Sequence, residues 1–311
     1  MENTIDLLDK VKLDTKITPL EGIFKPLDSK RGLSELSNII KDTIIHLQDL
    51  GSFGGVLALK DHNIQIERLR NHCCDKKLYN VLNYVSTILL HASRLLKRQL
   101  SGTDMKDIYE FSSDKVKKLF DILREHKKNS SEELCAIVFV RRRFSAKILY
   151  HILKILSDTV CEFSFIKPNF MVGYNSNPFN DTREVTYLNK INKEIVQGFC
   201  LKEFNLLVAS NVLEEGIDVP KCSLVVKFDL PLDYRSYIQS KGRARHKTSQ
   251  YYVMVETGIS AERFIDKYSS FQEIEAKLNE VIMMICNLYF PKNFYFSMHC
   301  INFAGVFFMH Q

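Results

Sequence analysis

Four short runs constrain the fold of this chain more than anything else in it. Residues 135–140 (Cys-Ala-Ile-Val-Phe-Val), 205–209 (Asn-Leu-Leu-Val-Ala), 223–228 (Ser-Leu-Val-Val-Lys-Phe) and 251–255 (Tyr-Tyr-Val-Met-Val) are β-rich and almost free of polar interruption. A strand exposed on one face alternates polar and apolar side chains. A strand buried on both faces does not, and such strands belong to parallel sheets covered by helices. Helix-like stretches at 144–156 and 185–199 lie between them, with shorter runs at 163–166 and 170–172. Strands alternating with helices predict an α/β domain over residues 131–260 with a mostly parallel sheet. Ligands of such sheets usually sit beyond the carboxyl ends of the strands.

The flanking regions have a different texture. Residues 26–130 are helical in pattern. Leu36, Ile39, Ile40, Ile44 and Leu47 recur at helical spacing, and Ser34 is a candidate cap. The glycines at 51, 54 and 55 interrupt that helix, and a second runs from 56 to about 71. A third spans about 78–100, with Leu78, Leu82, Val85, Leu89 and Leu96 on one side. A fourth, 113–126, opens at Ser113 and closes on lysines that suit a helix C-terminus. None of these helices carries chemistry. Residues 261–281 read as an amphipathic helix built on Phe264, Tyr268, Phe271, Ile274 and Leu278. The tail, 282–311, holds six Phe, a single basic residue (Lys292) and no Asp or Glu. Pro291 splits it, and the 16 residues from 294 to 309 include Ser297, His299 and Asn302. That is too short for a membrane span. It reads as an atypical apolar tail, closer to an aberrant extension than to an anchor.

Composition narrows the class without choosing a function. The 311 residues are 45% hydrophobic and 26% charged, which predicts a buried core and excludes global disorder. A net charge of +6 permits an anionic partner without demanding one. The eight cysteines include no Cys-x-x-Cys pair, which argues against zinc, and no metal ligands are expected. Several lie in apolar runs, as reduced thiols of the cytosol or nucleus do. Residues 1–10 lack the pattern of a secretory leader. A cytoplasmic location without membrane contact is the expectation.

Chemistry is concentrated in two clusters. Residues 234–247 hold five Lys or Arg and no acid. Such a run is often only a solvated basic face, but here Gln239, Gly242, Arg243 and Arg245 follow the spacing Gln-x-x-Gly-Arg-x-Arg. Gly242 permits a tight turn or a close backbone approach. Arg243 and Arg245, two positions apart, cannot share a helical face, so they suit two different anions, or a phosphate on one side and a carboxylate on the other. A guanidinium that reaches a γ-phosphate in phosphoryl transfer is typically worth about 10³–10⁵ in rate. The second cluster follows a buried strand. Residues 206–220 deliver Ala209 and Ser210 to its carboxyl end, then lead through Asn211, Glu214, Glu215 and Gly216 to Asp218. Small and polar groups there can approach a sugar-phosphate backbone, and Asp218 can accept from a ribose hydroxyl.

Together these clusters resemble motifs V and VI of superfamily 2 helicases. The strings Leu-Glu-Glu-Gly-Ile-Asp-Val-Pro-Lys-Cys (213–222), Val-Val-Lys-Phe-Asp-Leu-Pro (225–231) and Tyr-Arg-Ser-Tyr-Ile-Gln-Ser-Lys-Gly-Arg-Ala-Arg (234–245) are similar to the second RecA-like domain of the Dicer family. Residues 135–143 resemble motif IV, and 170–175 resemble the Dicer segment that follows it. The close resemblance covers about 134–256. It implies a RecA-like parallel sheet with flanking helices, preceded by an all-α helical insertion. The implied order is a linker (1–25) from a first RecA-like domain, the insertion (26–130), the helicase C-terminal domain (131–260), an amphipathic helix (261–281) and the apolar tail (282–311).

The resemblance also implies roles. Gln239, Arg243 and Arg245 would face the nucleotide, with Arg245 preferred as the arginine finger. Gly216, Asp218 and Gly242 would lie at the ATP edge, and Arg141, Ser210 and Asn211 on the side of double-stranded RNA. The implied cofactor is ATP, with magnesium held by the first RecA-like domain. The implied partners are that domain, duplex RNA, and a double-stranded-RNA-binding protein docked on the insertion. No Gly-Lys-Ser or Gly-Lys-Thr and no Asp-Glu dipeptide occurs in the 311 residues. The phosphate loop and the magnesium-holding acids are therefore missing, and so are the ribonuclease III domains of the family. The chain alone is expected to be inactive in ATP hydrolysis. The alternatives are a non-catalytic module that binds RNA or a partner protein, and part of a RIG-I-like RNA sensor.

Overall fold

The computed structural model describes residues 28–100, 108–130, 132–173, 182–210, 219–244, 248–256, 259–289 and 303–309. The chain divides into two compact units, residues 1–129 with 144–168, and residues 130–143 with 169–311.

The first unit is helical. Helix α1 (Ser29–Asn71) is followed by α2 (Lys76–Leu100) and α3 (Asp114–Asn129), and the unit also takes in α4 (Arg143–Thr159) and a single 3-10 turn at Cys161–Phe163. The interruption expected at residues 51–55 is a kink rather than an end. Helix α1 runs on through it, and only Gly51 leaves helical geometry, at φ 73° and ψ −171°. The backbone groups freed there find partners in the segment before α3. Phe53 N–H donates to Phe111 O (3.2 Å), and the Ser113 hydroxyl donates to Asp49 O (2.5 Å). Ser113 also accepts from Val116 N–H, so it caps α3 as expected. Ser34 caps nothing and lies inside α1, which begins after Asp28. A tertiary contact marks that start: the Ser29 hydroxyl donates to Asp75 Oδ2, while Asp75 Oδ1 takes the Lys77 N–H at the start of α2. Two glycines let α1 pack closely. A Cβ on Gly54 would meet Ile152 and Ile148 of α4, and one on Gly55 would meet Leu96 of α2.

The second unit is built on a sheet. Its strands are β1 (Ala136–Phe139), β2 (Pro168–Met171), β3 (Leu206–Ala209), β4 (Leu224–Lys227), β5 (Gln250–Glu256) and β6 (Phe303–Met309), in the order β2-β3-β1-β4-β5-β6. β1 pairs in parallel with both β3 and β4, and β4 pairs in parallel with β5. Every residue of β1, β3 and β4 is buried, as the uninterrupted apolar runs require. Helices α5 (Thr182–Cys200), α6 (Tyr234–Lys241) and α7 (Ile259–Tyr289) flank the sheet. Phe199 of α5, Tyr237 of α6, and Phe264 and Phe271 of α7 pack with Ile137, Phe139, Leu207, Val225, Tyr251 and Val253 of the strands in one cluster. This is the parallel α/β sheet with flanking helices expected from the sequence. Helix α7 is longer than the amphipathic stretch at 261–281. Within the tail, Phe303–Met309 pairs in parallel with β5, with a register shift between Tyr251 and Tyr252. Among the described residues, no helix is long and apolar enough to cross a membrane.

Candidate functional site

The second unit presents its described candidate residues at two opposite edges of the sheet. At the carboxyl edge, hydrogen bonds continue past the strands. Val140 N–H donates to Ala209 O and Phe228 N–H to Phe139 O, both at 2.9 Å. The next amide, Arg141 N–H, donates to the Asp229 carboxylate at 2.7 Å and leaves the Arg141 side chain exposed. Ser210 follows β3 directly and is buried. Its N–H donates to Met171 O, and its hydroxyl accepts from Gly173 N–H at 3.2 Å. Arg141 and Ser210 therefore follow two neighbouring strands. Between the ends of β1 and β4 lies a shallow pocket walled in part by Arg141, Lys227, Asp229 and Ser236. Lys227 is only 4% exposed, and its ammonium lies 5.1 Å from the centroid of the Phe139 ring. Sequence reasoning passed over Lys227 and Asp229. The available signal was a lysine inside an otherwise apolar, buried strand, a residue type seldom fully buried.

At the amino edge lies the arginine motif. Asp233 caps α6, accepting the Ser236 N–H at 2.8 Å. The helix then runs back along β4. At its far end Gly242 N–H donates to Ile238 O (2.8 Å) and Arg243 N–H to Ser240 O (3.1 Å). Arg243 O in turn accepts from Cys222 N–H at 3.3 Å, just before β4 begins. A main-chain hydrogen bond thus joins the arginine motif to the residues that follow the second cluster. Val219, Cys222 and Ala244 pack together in the apolar core beside it. Arg243 is buried, at 6% exposure, and Gln239 is half-buried on α6. Gly242 is not in a conformation reserved for glycine, since its φ is −65° and its ψ −6°. Its small size matters instead, because a Cβ there would lie 3.1 Å from Ile238 O.

Aromatic packing anchors the helix. Tyr237 is fully buried, with ring centroids of Phe271, Tyr251 and Tyr268 at 5.2, 5.8 and 5.9 Å. Burial, reinforced by Tyr268 and Tyr251, drives its hydroxyl pKa far above the ordinary phenol range, so it stays protonated. The Ser240 and Tyr251 hydroxyls are bonded at 3.0 Å. The structure thus places Gln239, Gly242 and Arg243 together at one edge, and Arg141 and Ser210 at the other. Asn211, Gly216, Asp218 and Arg245 lie outside the described residues.

Residues 114–247 match the helicase conserved C-terminal domain family. The parallel sheet and its flanking helices are those of a RecA-like helicase C-terminal domain. Endoribonuclease Dicer of Gallus gallus is 41% identical over 143 residues, which cover 45% of this chain and 7% of that protein. Endoribonuclease Dicer homolog 4 of Oryza sativa subsp. japonica is 33% identical over 284 residues, covering 88% of this chain and 16% of that protein. The Hef helicase domain of Pyrococcus furiosus superposes with a TM-score of 0.43 at 23% identity, over 76% of this chain and 43% of that one. The chain is similar to the Dicer family in the helicase C-terminal region of those proteins. It spans only a small part of the length of these relatives, 7% and 16%.

Proposed function

We propose that the chain supplies one wall of an ATP cleft and one strip of an RNA track in a Dicer-type endoribonuclease that makes small silencing RNAs. In this reading Gln239, Arg243 and Arg245 face the nucleotide, with Arg245 as the arginine finger. Gly216, Asp218 and Gly242 line the ATP edge. Arg141, Ser210 and Asn211 meet the backbone of double-stranded RNA, and ATP-driven closure against a first RecA-like domain moves that RNA. The observation that carries it is the main-chain bond from Cys222 N–H to Arg243 O, which sets the arginine turn beside the residues that lead into β4. The donor set suits a nucleotide. Guanidinium groups match phosphate oxygens, and Arg243 sits where little water competes. Bound ATP would supply the phosphoryl group, and its magnesium would be held by the first RecA-like domain. A cytoplasmic location is part of the same proposal.

The test is direct. The purified chain, given ATP and duplex RNA, should show no turnover above background. Appreciable turnover would refute the one-wall account. Duplex RNA should still bind, weakly, and lose affinity as salt rises from about 50 to 200 mM, since phosphate contacts release counterions. An affinity independent of salt would remove Arg141 and its neighbours from the RNA track.

A second reading has its own observation. Helix α2 carries Tyr84, Ile88 and Leu95 at helical spacing, with 69, 46 and 47% of their surface exposed. Such a stripe suits a docked partner, and the helical unit is proposed to hold a double-stranded-RNA-binding protein there.

A further inference from the structure

Helix α7 holds α6 at both ends. At the entrance to α6, Lys267 of α7 donates to the carbonyl of Leu232, one residue before the cap Asp233. At the exit, the Lys241 ammonium meets both carboxylate oxygens of Glu275, at 2.8 and 2.9 Å. Between these ends Tyr237 is buried beneath Tyr268 and Phe271 of the same helix. The spacing is matched. From Lys267 to Glu275 α7 rises about 12 Å, and the eight residues of α6 rise about the same distance. The two helices therefore run side by side, fastened at equal intervals.

We propose that α7 is a splint for the arginine turn and that Glu275 is the positioning residue at its working end. The proposal rests on the reading above, in which Arg243 faces a nucleotide. Lys241 is the last residue of α6, and Gly242 and Arg243 follow it without slack. The ion pair is largely sheltered, with Lys241 13% and Glu275 30% exposed, so water screens it less than an exposed surface pair. The ammonium also lies 5.5 Å from the centroid of the Tyr237 ring, which ties its position to the aromatic cluster. A shift of α7 along or away from α6 would act on Arg243 before it reached the sheet, because Glu275 grips the residue two before that arginine. Among the described residues Glu275 is bonded to Lys241 and not to a candidate ligand residue, so its role is to place the turn.

Hydrogen exchange on the whole chain tests this without nucleotide or RNA. Its outcome therefore stands apart from that of the ATPase and RNA-binding assays. In Glu275→Lys, two ammonium groups oppose each other, and exchange at the amides of Gly242, Arg243 and Cys222 should accelerate about tenfold or more. Amides of β1 and β3 should keep their wild-type rates. The exchanged pair, Lys241→Glu with Glu275→Lys, should restore protection at the turn. Glu273→Lys, an equal charge change on an exposed position of α7, should leave it unaltered. Unchanged exchange at the turn in Glu275→Lys would overturn the proposal. So would acceleration spread equally over β1 and β3, a failure of the exchanged pair to rescue, or an equal response to Glu273→Lys.

Discussion

Replacing Gly51 with alanine tests how the long helix of the first unit is held in its kinked form. The cost can be worked from the structure. At φ 73° and ψ −171° the backbone occupies a region that is nearly exclusive to glycine, and an alanine held there costs about 1–3 kcal/mol. The new Cβ would also lie 2.4 Å from Ser113 N, and 2.7 Å from both Phe111 O and Ser112 C. All three are main-chain atoms, so no side-chain rotation relieves the clash. Residues 111–113 must retreat, and they take with them the Phe111 O and Ser113 Oγ contacts that satisfy the broken helix. Each such bond is worth about 1 kcal/mol net. The nearby Lys115–Asp49 ion pair, at 3.1 Å with both side chains mostly buried, would be strained as well. The total is about 3–5 kcal/mol. Urea unfolding followed by far-ultraviolet circular dichroism measures it. Gly242→Ala is the matched control, because its backbone is already helical and its new Cβ meets one carbonyl at 3.1 Å. A Gly51→Ala variant within about 1 kcal/mol of wild type, or no worse than the control, would refute the account of the kink.

Two further outcomes follow from polar groups in the same unit. His62 is 1% exposed and takes part in a hydrogen-bonded chain, with Ser145 to His46 at 2.9 Å, His46 to His62 at 2.9 Å and His62 to Gln65 at 3.1 Å. Burial lowers its pKa, against the pull of Gln65 and Asp42, so below the unfolded value of 6.5 the unfolded chain binds a proton that the native one refuses. Stability should be full above that value and fall as pH drops through the window beneath it, by at most about 1.4 kcal/mol per pH unit. Asp61, 4% exposed beside Lys147, has a pKa raised by burial and contributes with the opposite sign. The His62 share is therefore read as the difference between wild type and His62→Gln across about pH 7 to 5. Equal slopes in the two proteins would rule it out. Arg124 donates to Glu162 and Asp121, both at 2.8 Å, and its guanidinium lies 5.2 Å from the Phe163 ring centroid and 5.8 Å from that of Tyr109. Arg124→Met keeps the packing but loses the bonds and the charge, and should cost about 1–2 kcal/mol in the same unfolding assay. A neutral result would mean that the 3-10 turn at Cys161–Phe163 is held by Phe163 alone.

The sheet was legible because its strands are buried on both faces, so residues 136–139, 206–209 and 224–227 needed no partner to be recognised. Long helices were legible from their periodicity, and Ser113 from its place before α3. The misreadings have a common cause. Ser34 has the right residue type for a cap, but Ser29 binds Asp75 across 46 residues and the helix starts earlier. Gly51 looked like a terminus, but atoms of Phe111 and Ser113 bridge the break. In each case a contact distant in sequence decided a local feature. Lys227 and Asp229 escaped for a similar reason: a charged residue in a strand acquires meaning only when its neighbours across the sheet are known.

The arginine turn illustrates how topology can redirect a general rule. Ligands of parallel sheets are expected beyond the carboxyl ends of the strands, and Arg141 and Ser210 lie at those ends. Arg243 does not. Strand β4 advances the chain by four residues, about 13 Å, and α6 returns it by eight residues, about 12 Å. A motif placed at the end of α6 must therefore arrive beside Cys222, where β4 begins, and the observed hydrogen bond between Cys222 and Arg243 is the consequence. Under the proposed function this separation matters. RNA would meet the edge where α6 starts, at Asp233, and the nucleotide would meet the edge where it ends, at Arg243. One covalent path between the two ligands is then α6 itself, a rigid helix capped at one end and ion-paired at the other. A helix of that length transmits displacement rather than absorbing it, so a change at either edge must be carried by α6 or resisted by α7, which is fastened to it.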